Sequence, residues 1–391
     1  MRVIGLMSGT SYDGIDAAAA DLSIEGDSIV LSPLGHLVGE EYPKELRDAI
    51  VDALPPRPAT MAEVCRIDTG VGQAFAAVAA RAQAELCGGT ADLVVSHGQT
   101  LFHWVEEDRV RGTLQVGQPA WIAEETGLPV VSDLRARDVA AGGQGAPLVS
   151  AFDVLWLRGR PGSPVALNLG GIANITVASA DAEPVAFDTG PANALIDAAV
   201  AHLSNGSRHY DADGEMAARG RVVPELLDRL LAEPYYARSA PKTTGKELFH
   251  LAYLRDHLAP FGDLAADDVV ATLTALTART VADAVRGVGG TEVIASGGGT
   301  RNPTLMRMLT EELAGTPVHT SDELGVPADA KEAYAFALLG FLTACGLPST
   351  VPSCTGARHA SVLGSITPGS GGLRLPPAPA AAPIRLQIRA D

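Results

Sequence analysis

An apolar run that stops at a glycine-bearing polar turn and resumes as a second apolar run occurs twice in this chain. Residues 3–7 are strand-like, residues 8–14 are small and polar, and residues 15–22 are apolar again. The pattern returns as residues 165–169, then Gly170 and Gly171, then residues 172–177. Each is a strand, turn, strand unit, so the opening architecture repeats. With 391 residues the chain is longer than one hydrophobic core usually organises, and two domains, or one large domain with a cleft, are expected.

Helical periodicity dominates residues 44–86, with Leu46, Ile50 and Leu54, then Val71, Phe75, Val78 and Ala79, on one face around a break at residues 55–58. Short apolar runs at 93–96 and 129–132 read as buried strands of an alternating α/β arrangement. In the second half, residues 185–187 form a strand, the loop 188–191 follows, and residues 192–203 form a helix. A long amphipathic helix spans 267–285, and a strand at 292–295 runs into Gly297, Gly298 and Gly299 before the helix 303–313. After Pro368 the chain is rich in Gly, Pro and Ala, and is expected to remain a disordered tail.

Charge narrows the partners. Against 29 Lys and Arg stand 46 Asp and Glu, a formal charge of -17, which repels nucleic acid and anionic membranes. Backbone N–H groups and a bound cation still allow such a protein to hold a nucleotide. Cys65, Cys87, Cys345 and Cys354 lack CxxC spacing, which argues against a zinc site or a disulfide framework and fits a reducing cytoplasm. The apolar stretch 335–345 is too short to span a bilayer, so no membrane segment is expected.

The first turn, Gly9-Thr10-Ser11-Tyr12-Asp13-Gly14-Ile15-Asp16, can wrap a phosphate. Glycine permits close backbone approach, hydroxyls donate to phosphate oxygens, and a carboxylate can hold a hydrated magnesium ion nearby. A tight Asp-Gly hairpin is the other reading of these residues. Two familiar nucleotide signatures fail: Thr243-Thr244-Gly245-Lys246-Glu247 has Glu247 where a P-loop needs a hydroxyl and Ala240 where it needs glycine, and Asn302 replaces the third glycine of a dinucleotide fingerprint begun by Gly297 and Gly299. A strand ending in three glycines still favours a ligand.

Asn168-Leu169-Gly170-Gly171-Ile172-Ala173-Asn174 and Phe187-Asp188-Thr189-Gly190-Pro191-Ala192-Asn193 put polar groups at strand ends, where open α/β sheets bind ligands. Asp188 is the candidate base, able to take a proton from a water or a sugar hydroxyl; its bland role is to cap the following helix. Ser96-His97-Gly98-Gln99-Thr100 and Asp133-Leu134-Arg135-Ala136-Arg137-Asp138 offer donors for a sugar. The plainer readings are a structural His97, a surface ion pair of Arg135 with Asp138, and a solvated Glu332 at a helix start.

In order, these motifs resemble the anhydro-N-acetylmuramic acid kinase family over about residues 4–366, with Gly142-Gly143-Gln144-Gly145-Ala146-Pro147 and Pro241-Lys242-Thr243-Thr244-Gly245 adding to the match. The resemblance implies an α/β fold of two ribonuclease H-like domains with an ATP cleft between them, as in the actin and hexokinase-like superfamily. Domain I is expected at 1–140 plus about 333–367, domain II at 141–332, and the tail at 368–391. It implies ATP-dependent phosphorylation of O6 of 1,6-anhydro-N-acetylmuramic acid while water opens the anhydro bond, giving N-acetylmuramate 6-phosphate and ADP. Asp188 aligns with the water-activating base, as in inverting glycosidases. Gly9, Thr10, Ser11, Tyr12, Asp13, Gly14, Ile15 and Asp16 align with the ATP-phosphate loop. Gly170, Gly171, Asn174 and Gly190 align with a second phosphate unit, and Gly297, Gly298 and Gly299 with a nucleotide-side turn. His97, Arg135 and Glu332 fall near the sugar, and Mg2+ is expected between phosphates, touching Asp13 through water. A cytoplasmic homodimer is implied as well.

Two positions depart from the family pattern: Ala192 stands where glycine is usual and His250 where Asn is common. Rival readings are a kinase for another amino sugar, an ATP-responsive scaffold or actin-like assembly protein, and an ATP-independent glycosidase, which would have no use for the glycine loops.

Overall fold

The computed structural model describes residues 1–9, 12, 14–107, 109–179, 182–240, 242–245 and 248–389. Its strands are β1 (Arg2–Met7), β2 (Gly14–Glu25), β3 (Ser28–Glu41), β4 (Leu93–Ser96), β5 (Gln99–Glu106), β6 (Arg109–Val116), β7 (Val130–Ser132), β8 (Pro164–Leu169), β9 (Ile172–Val177), β10 (Val185–Pro191), β11 (Glu292–Ser296), β12 (Val318–Thr320), β13 (Ser365–Thr367) and β14 (Arg385–Ile388). They fall into two compact units, Met1–Gly159 with Gly325–Asp391, and Arg160–Leu324. Residues 141–159 and 325–332, expected in the second domain, therefore belong with the first unit.

In the first unit the sheet order is β13-β7-β4-β1-β2-β3-β14. β1, β2 and β3 form an antiparallel meander, and β4 and β7 continue it in parallel beside β1. The second unit repeats this in β10-β9-β8-β11-β12: an antiparallel meander of β8, β9 and β10, then β11 and β12 parallel beside β8. Two copies of that five-strand order make the fold ribonuclease H-like twice over, as the family resemblance implied.

Burial on both faces explains the central strands. β1 is apolar almost throughout, and Ala17, Ala18, Ala19 and Ala20 of β2 are wholly buried despite alanine's preference for helix. Small side chains are what room remains for between the helices Met61–Cys87 and Lys331–Ala344, which both pack on β2. The first of those helices is fixed at its start by a capping box of Thr60 and Glu63 and ends at Gly88 in the left-handed region. The second comes closest at β1, where a β-carbon on Gly5 would stand 2.0 Å from the carbonyl oxygen of Ala333.

β3 left no clear alternation in the sequence, and its pairing with β2 slips twice, around Ile15/Ala17 and Ala19/Ala20. Pro33, Gly35 and Gly39 interrupt the pattern there. The expected disordered tail contradicts the structure: β14 pairs in parallel with β3, with Leu386 buried and Arg385 bound to Asp27. Averaging composition over the whole tail hid the short segment Arg385-Leu386-Gln387-Ile388, whose apolar residues alternate as a strand requires.

Gly5→Ala should lower the unfolding free energy by about 2 kcal/mol or more, the cost of overpacking where backbone must move. Urea unfolding followed by circular dichroism reads this directly, and an unshifted midpoint would contradict the close seating of the helix.

Candidate active site

In the first unit, the turn after β1 is clamped by Gln99, at the head of β5. Ser8 Oγ lies 2.7 Å from the carbonyl oxygen of Gly14 and 2.8 Å from Gln99 Oε1, while Gln99 Nε2 donates to the carbonyl of Gly9 at 3.1 Å. Gln99 is fully buried, so these bonds satisfy an amide that would otherwise be costly. Thr10, Ser11 and Asp13 lie outside the described residues. Tyr12 has φ 56° in the left-handed region. Gly14 and Ile15 already belong to β2, and the Ile15 side chain is in the core, leaving only its backbone for a ligand. Asp16 Oδ1 accepts from the Gly39 amide at 2.7 Å, which ties β2 to β3.

His97 and Arg135 meet. His97 Nδ1 lies 2.8 Å from the carbonyl of Gly98, and Arg135 Nε donates to His97 Nε2 at 2.9 Å. A ring that donates at Nδ1 and accepts at Nε2 is neutral. Burial first, and then the Arg135 charge, push its pKa down from 6.5 to about 3. Arg135 Nη1 also donates to Gly145 O at 2.7 Å. Asp138 is fully buried and accepts from the Gly145 amide and the Thr355 hydroxyl, both at 2.7 Å, so it is no partner in a surface ion pair with Arg135. It shapes the loop that receives Arg135.

Glu332 opens the helix Lys331–Ala344, and Phe336, one turn on, packs against the His97 ring with centroids 4.8 Å apart. Desolvation pushes the Glu332 carboxyl pKa up, and Arg135 and Lys331 pull it back. Its side chain is exposed, so water moderates that upward push. Lys331 beside it is buried and paired with Asp153 at 2.7 Å. The structure thus brings His97, Arg135 and Glu332 into one neighbourhood, with Gln99 and Asp138 of the sugar-side motifs as structural supports and with Asp153 and Lys331 as supports that sequence reasoning left unassigned.

The second unit gathers the other candidates. The Gly170-Gly171 turn joins β8 to β9, and its carbonyls accept from the amides of Ala192, Asn193 and Ala194 at the start of the helix Asn193–Leu203. Those amides are thereby used. Asn193 Nδ2 adds bonds to Leu169 O and Gly170 O. Gly297 has φ 85°, and a β-carbon there would stand 2.5 Å from Asn168 Oδ1; one on Gly299 would stand 2.7 Å from Leu169 Cβ. Gly298 faces open space. The two glycine turns therefore pack at the same end of β8.

Asp188 lies within β10, opposite Asn174 in register, instead of in a loop after the strand. A register shift separates it from Gly190, which has φ 150°. Three contacts clasp it. Its amide donates to Lys242 O at 3.0 Å, its carbonyl accepts from the Tyr235 hydroxyl at 2.8 Å, and Oδ2 accepts from the Thr244 amide at 2.9 Å. It does not cap the helix, whose N-cap is Ala192 without a side-chain bond. Thr244 stood in a recognised motif, but nothing local in the sequence pointed to Tyr235.

The departures also find their place. Ala192 is wholly buried, its methyl group in the core of the second unit. His250 caps the helix Leu251–Leu258, its Nδ1 accepting from the Tyr253 amide at 3.1 Å, as an Asn side chain could. Among the described residues no three His, Cys, Asp or Glu side chains gather as a metal site, and no helix is long and apolar enough to cross a membrane.

Duplicated ribonuclease H-like units with glycine turns at their strand ends define the fold class of the two-unit α/β kinases. The chain belongs to the anhydro-N-acetylmuramic acid kinase family, whose profile matches residues 1–369, and it is a kinase. Relatives named anhydro-N-acetylmuramic acid kinase include those of Streptomyces avermitilis, 67% identical over 99% of this chain and 100% of the relative, and of Rhodococcus erythropolis, 62% identical over 100% of each. A more distant one, from Caldanaerobacter subterraneus, is 39% identical over 93% of this chain and 96% of its own.

The neutral state of His97 carries a pH signature. Below pH 6.5 the unfolded chain takes up a proton that folded His97 refuses until about pH 3, so stability falls as pH drops through that window. Between those limits wild type should lose about 1.4 kcal/mol per pH unit more than His97→Asn. Parallel stability curves from urea unfolding across that range would contradict a buried neutral imidazole.

Proposed function

We propose that this kinase uses ATP to phosphorylate O6 of 1,6-anhydro-N-acetylmuramic acid while water opens the anhydro bond at C1, yielding N-acetylmuramate 6-phosphate and ADP in cell-wall recycling. The observation that carries the reading is the three-point clasp on Asp188. A carboxylate that activates water must keep its orientation, and a main-chain donor on Oδ2 fixes it without supplying a competing side-chain acid.

In this reading Asp188 takes a proton from water as the water oxygen bonds to C1. The C1–O6 bond breaks, its electron pair stays on O6, and O6 takes the γ-phosphoryl group from ATP as ADP leaves. Capture of O6 by phosphorus replaces the carboxylic acid that an inverting glycosidase would need. Gly9, Thr10, Ser11, Tyr12, Asp13, Gly14, Ile15 and Asp16 would face the ATP phosphates from the first unit. Gly170, Gly171, Asn174, Gly190, Gly297, Gly298 and Gly299 would face the nucleotide from the second. His97 and Arg135 would hold the sugar, the neutral ring fixing the guanidinium in place, and Glu332 would accept a sugar hydroxyl.

Magnesium would enter with ATP and offset phosphate charge. In this reading the ion is held by phosphate and water with at most one carboxylate, such as Asp13. The reading also takes the protein to be a cytoplasmic homodimer, an expectation from its family that sedimentation can test.

Incubation with ATP, magnesium and the anhydro sugar in oxygen-18 water should give a phosphorylated N-acetylmuramate bearing one solvent oxygen at C1 by mass spectrometry. Asp188→Asn should cut turnover by about a thousandfold, within the range of general-base catalysis, with its unfolding midpoint little changed. Unchanged sugar from folded wild type that binds ATP would point to another amino sugar, and undiminished turnover in Asp188→Asn would remove its role as base.

A further inference from the structure

Side chains alternate along β10, so Phe187 and Thr189 face away from the Asp188 carboxylate between them. Both line a cavity of about 470 Å³ within the second unit, with Tyr236, Arg238, Lys242 and Arg279 among its other walls. Such a volume suits a small metabolite. The cavity also reaches the last turns of the helix Ala266–Gly287, which lead to the beginning of β11, whereas Gly297, Gly298 and Gly299 follow its end. It therefore lies toward the opposite end of the sheet from the glycine turns.

Charge in this cavity is unbalanced. Asp283 on its rim is paired with Arg286 at 2.6 Å, and Arg279 with Glu312 at 3.1 Å. Arg238 and Lys242 have no carboxylate partner among the described residues. Lys242 Nζ donates to the carbonyls of Tyr235 and Tyr236 at 3.3 and 2.9 Å, two of the three bonds an ammonium can give. Both cations stand over the Tyr235 ring, 5.8 Å for Arg238 and 4.9 Å for Lys242, and both line the cavity. Desolvation, and then repulsion from Arg238, push the Lys242 pKa down, as expected where two like charges share a half-buried site. The hydroxyl of Tyr236 is buried with no hydrogen-bond partner among the described residues.

We propose that this cavity binds a phosphate monoester with a compact apolar or ring-shaped body, its dianion between Arg238 and Lys242 and its body against Phe187 and Tyr236. Two adjacent cations without carboxylates match a doubly charged group better than a single carboxylate, and the aromatic walls match a body that inorganic phosphate lacks.

Equilibrium dialysis of the full chain with phenyl phosphate tests the site, with a saturating non-hydrolysable ATP analogue present to occupy any nucleotide phosphate site. Binding of the analogue is measured first and alone, so failure of the ATP reading shows in that step and not in the phenyl phosphate titration. The expected result is one phenyl phosphate per chain, weaker binding of inorganic phosphate, and affinity reduced about tenfold or more in Arg238→Ala and in Lys242→Met. Arg238 is exposed, so its substitution leaves folding intact even where that of Lys242 does not. No uptake by folded wild type, or equal affinity in Arg238→Ala, overturns the proposal.

Discussion

The closest approach in the first unit, the helix Lys331–Ala344 against β1 at Gly5, sets the position of nearly everything useful in that unit. Glycine is required there because the Ala333 carbonyl occupies the space of a β-carbon. The same helix meets β4 through Gly340, where a β-carbon would stand 2.1 Å from Val95 Cγ2. Two glycines, one on the strand and one on the helix, thus fix both its depth and its rotation. With rotation fixed, Glu332 opens the helix, Phe336 reaches the His97 ring, and Lys331 turns inward to Asp153. A buried ion pair costs desolvation and is a poor source of stability. Its use here is to make one rotational setting of the helix much better than its neighbours, because any slip would leave a charge unpaired.

Buried polar groups do similar work elsewhere. Gln99 and Asp138 are fully buried, and besides its side-chain partners each ties down a loop through a main-chain group: the carbonyl of Gly9 for Gln99, the amide of Gly145 for Asp138. Such bonds specify loop conformation where hydrophobic contact, which is non-directional, cannot. The Asp188 clasp follows the same logic, since two of its three bonds come from the segment 242–245.

The sequence carried the repeat, because alternating apolar runs broken by glycines are a local signal. Its two strand, turn, strand units, the proline break between the first helices, and the helix after β10 were all readable from spacing. β3 and β14 were not, since Pro33, Gly35 and Gly39 disrupt one and a Pro- and Ala-rich neighbourhood masks the other. The candidate site was legible as motifs but not as a network. Nothing at Arg135 predicts that its Nε meets His97, and Asp138 reads as a surface acid until its neighbours in space are known. Long-range partners such as Tyr235 and Thr355 have no local pattern, because their role depends on where the fold returns them.

The two departures from the family pattern show how a motif letter translates into a physical requirement. At position 192 the chain needs a small residue in the core, and alanine fills that space. At position 250 it needs an acceptor for the third amide of the following helix, which imidazole Nδ1 supplies in place of an amide oxygen. Gly297 is different, because its φ of 85° and the nearness of Asn168 leave no room for a side chain. Variation is thus tolerated where the requirement is a volume or a lone pair, and withheld where it is a backbone angle beside packed atoms. By that criterion Gly297 is the strict position of its turn, whereas Gly298, which faces open space beside it, is not.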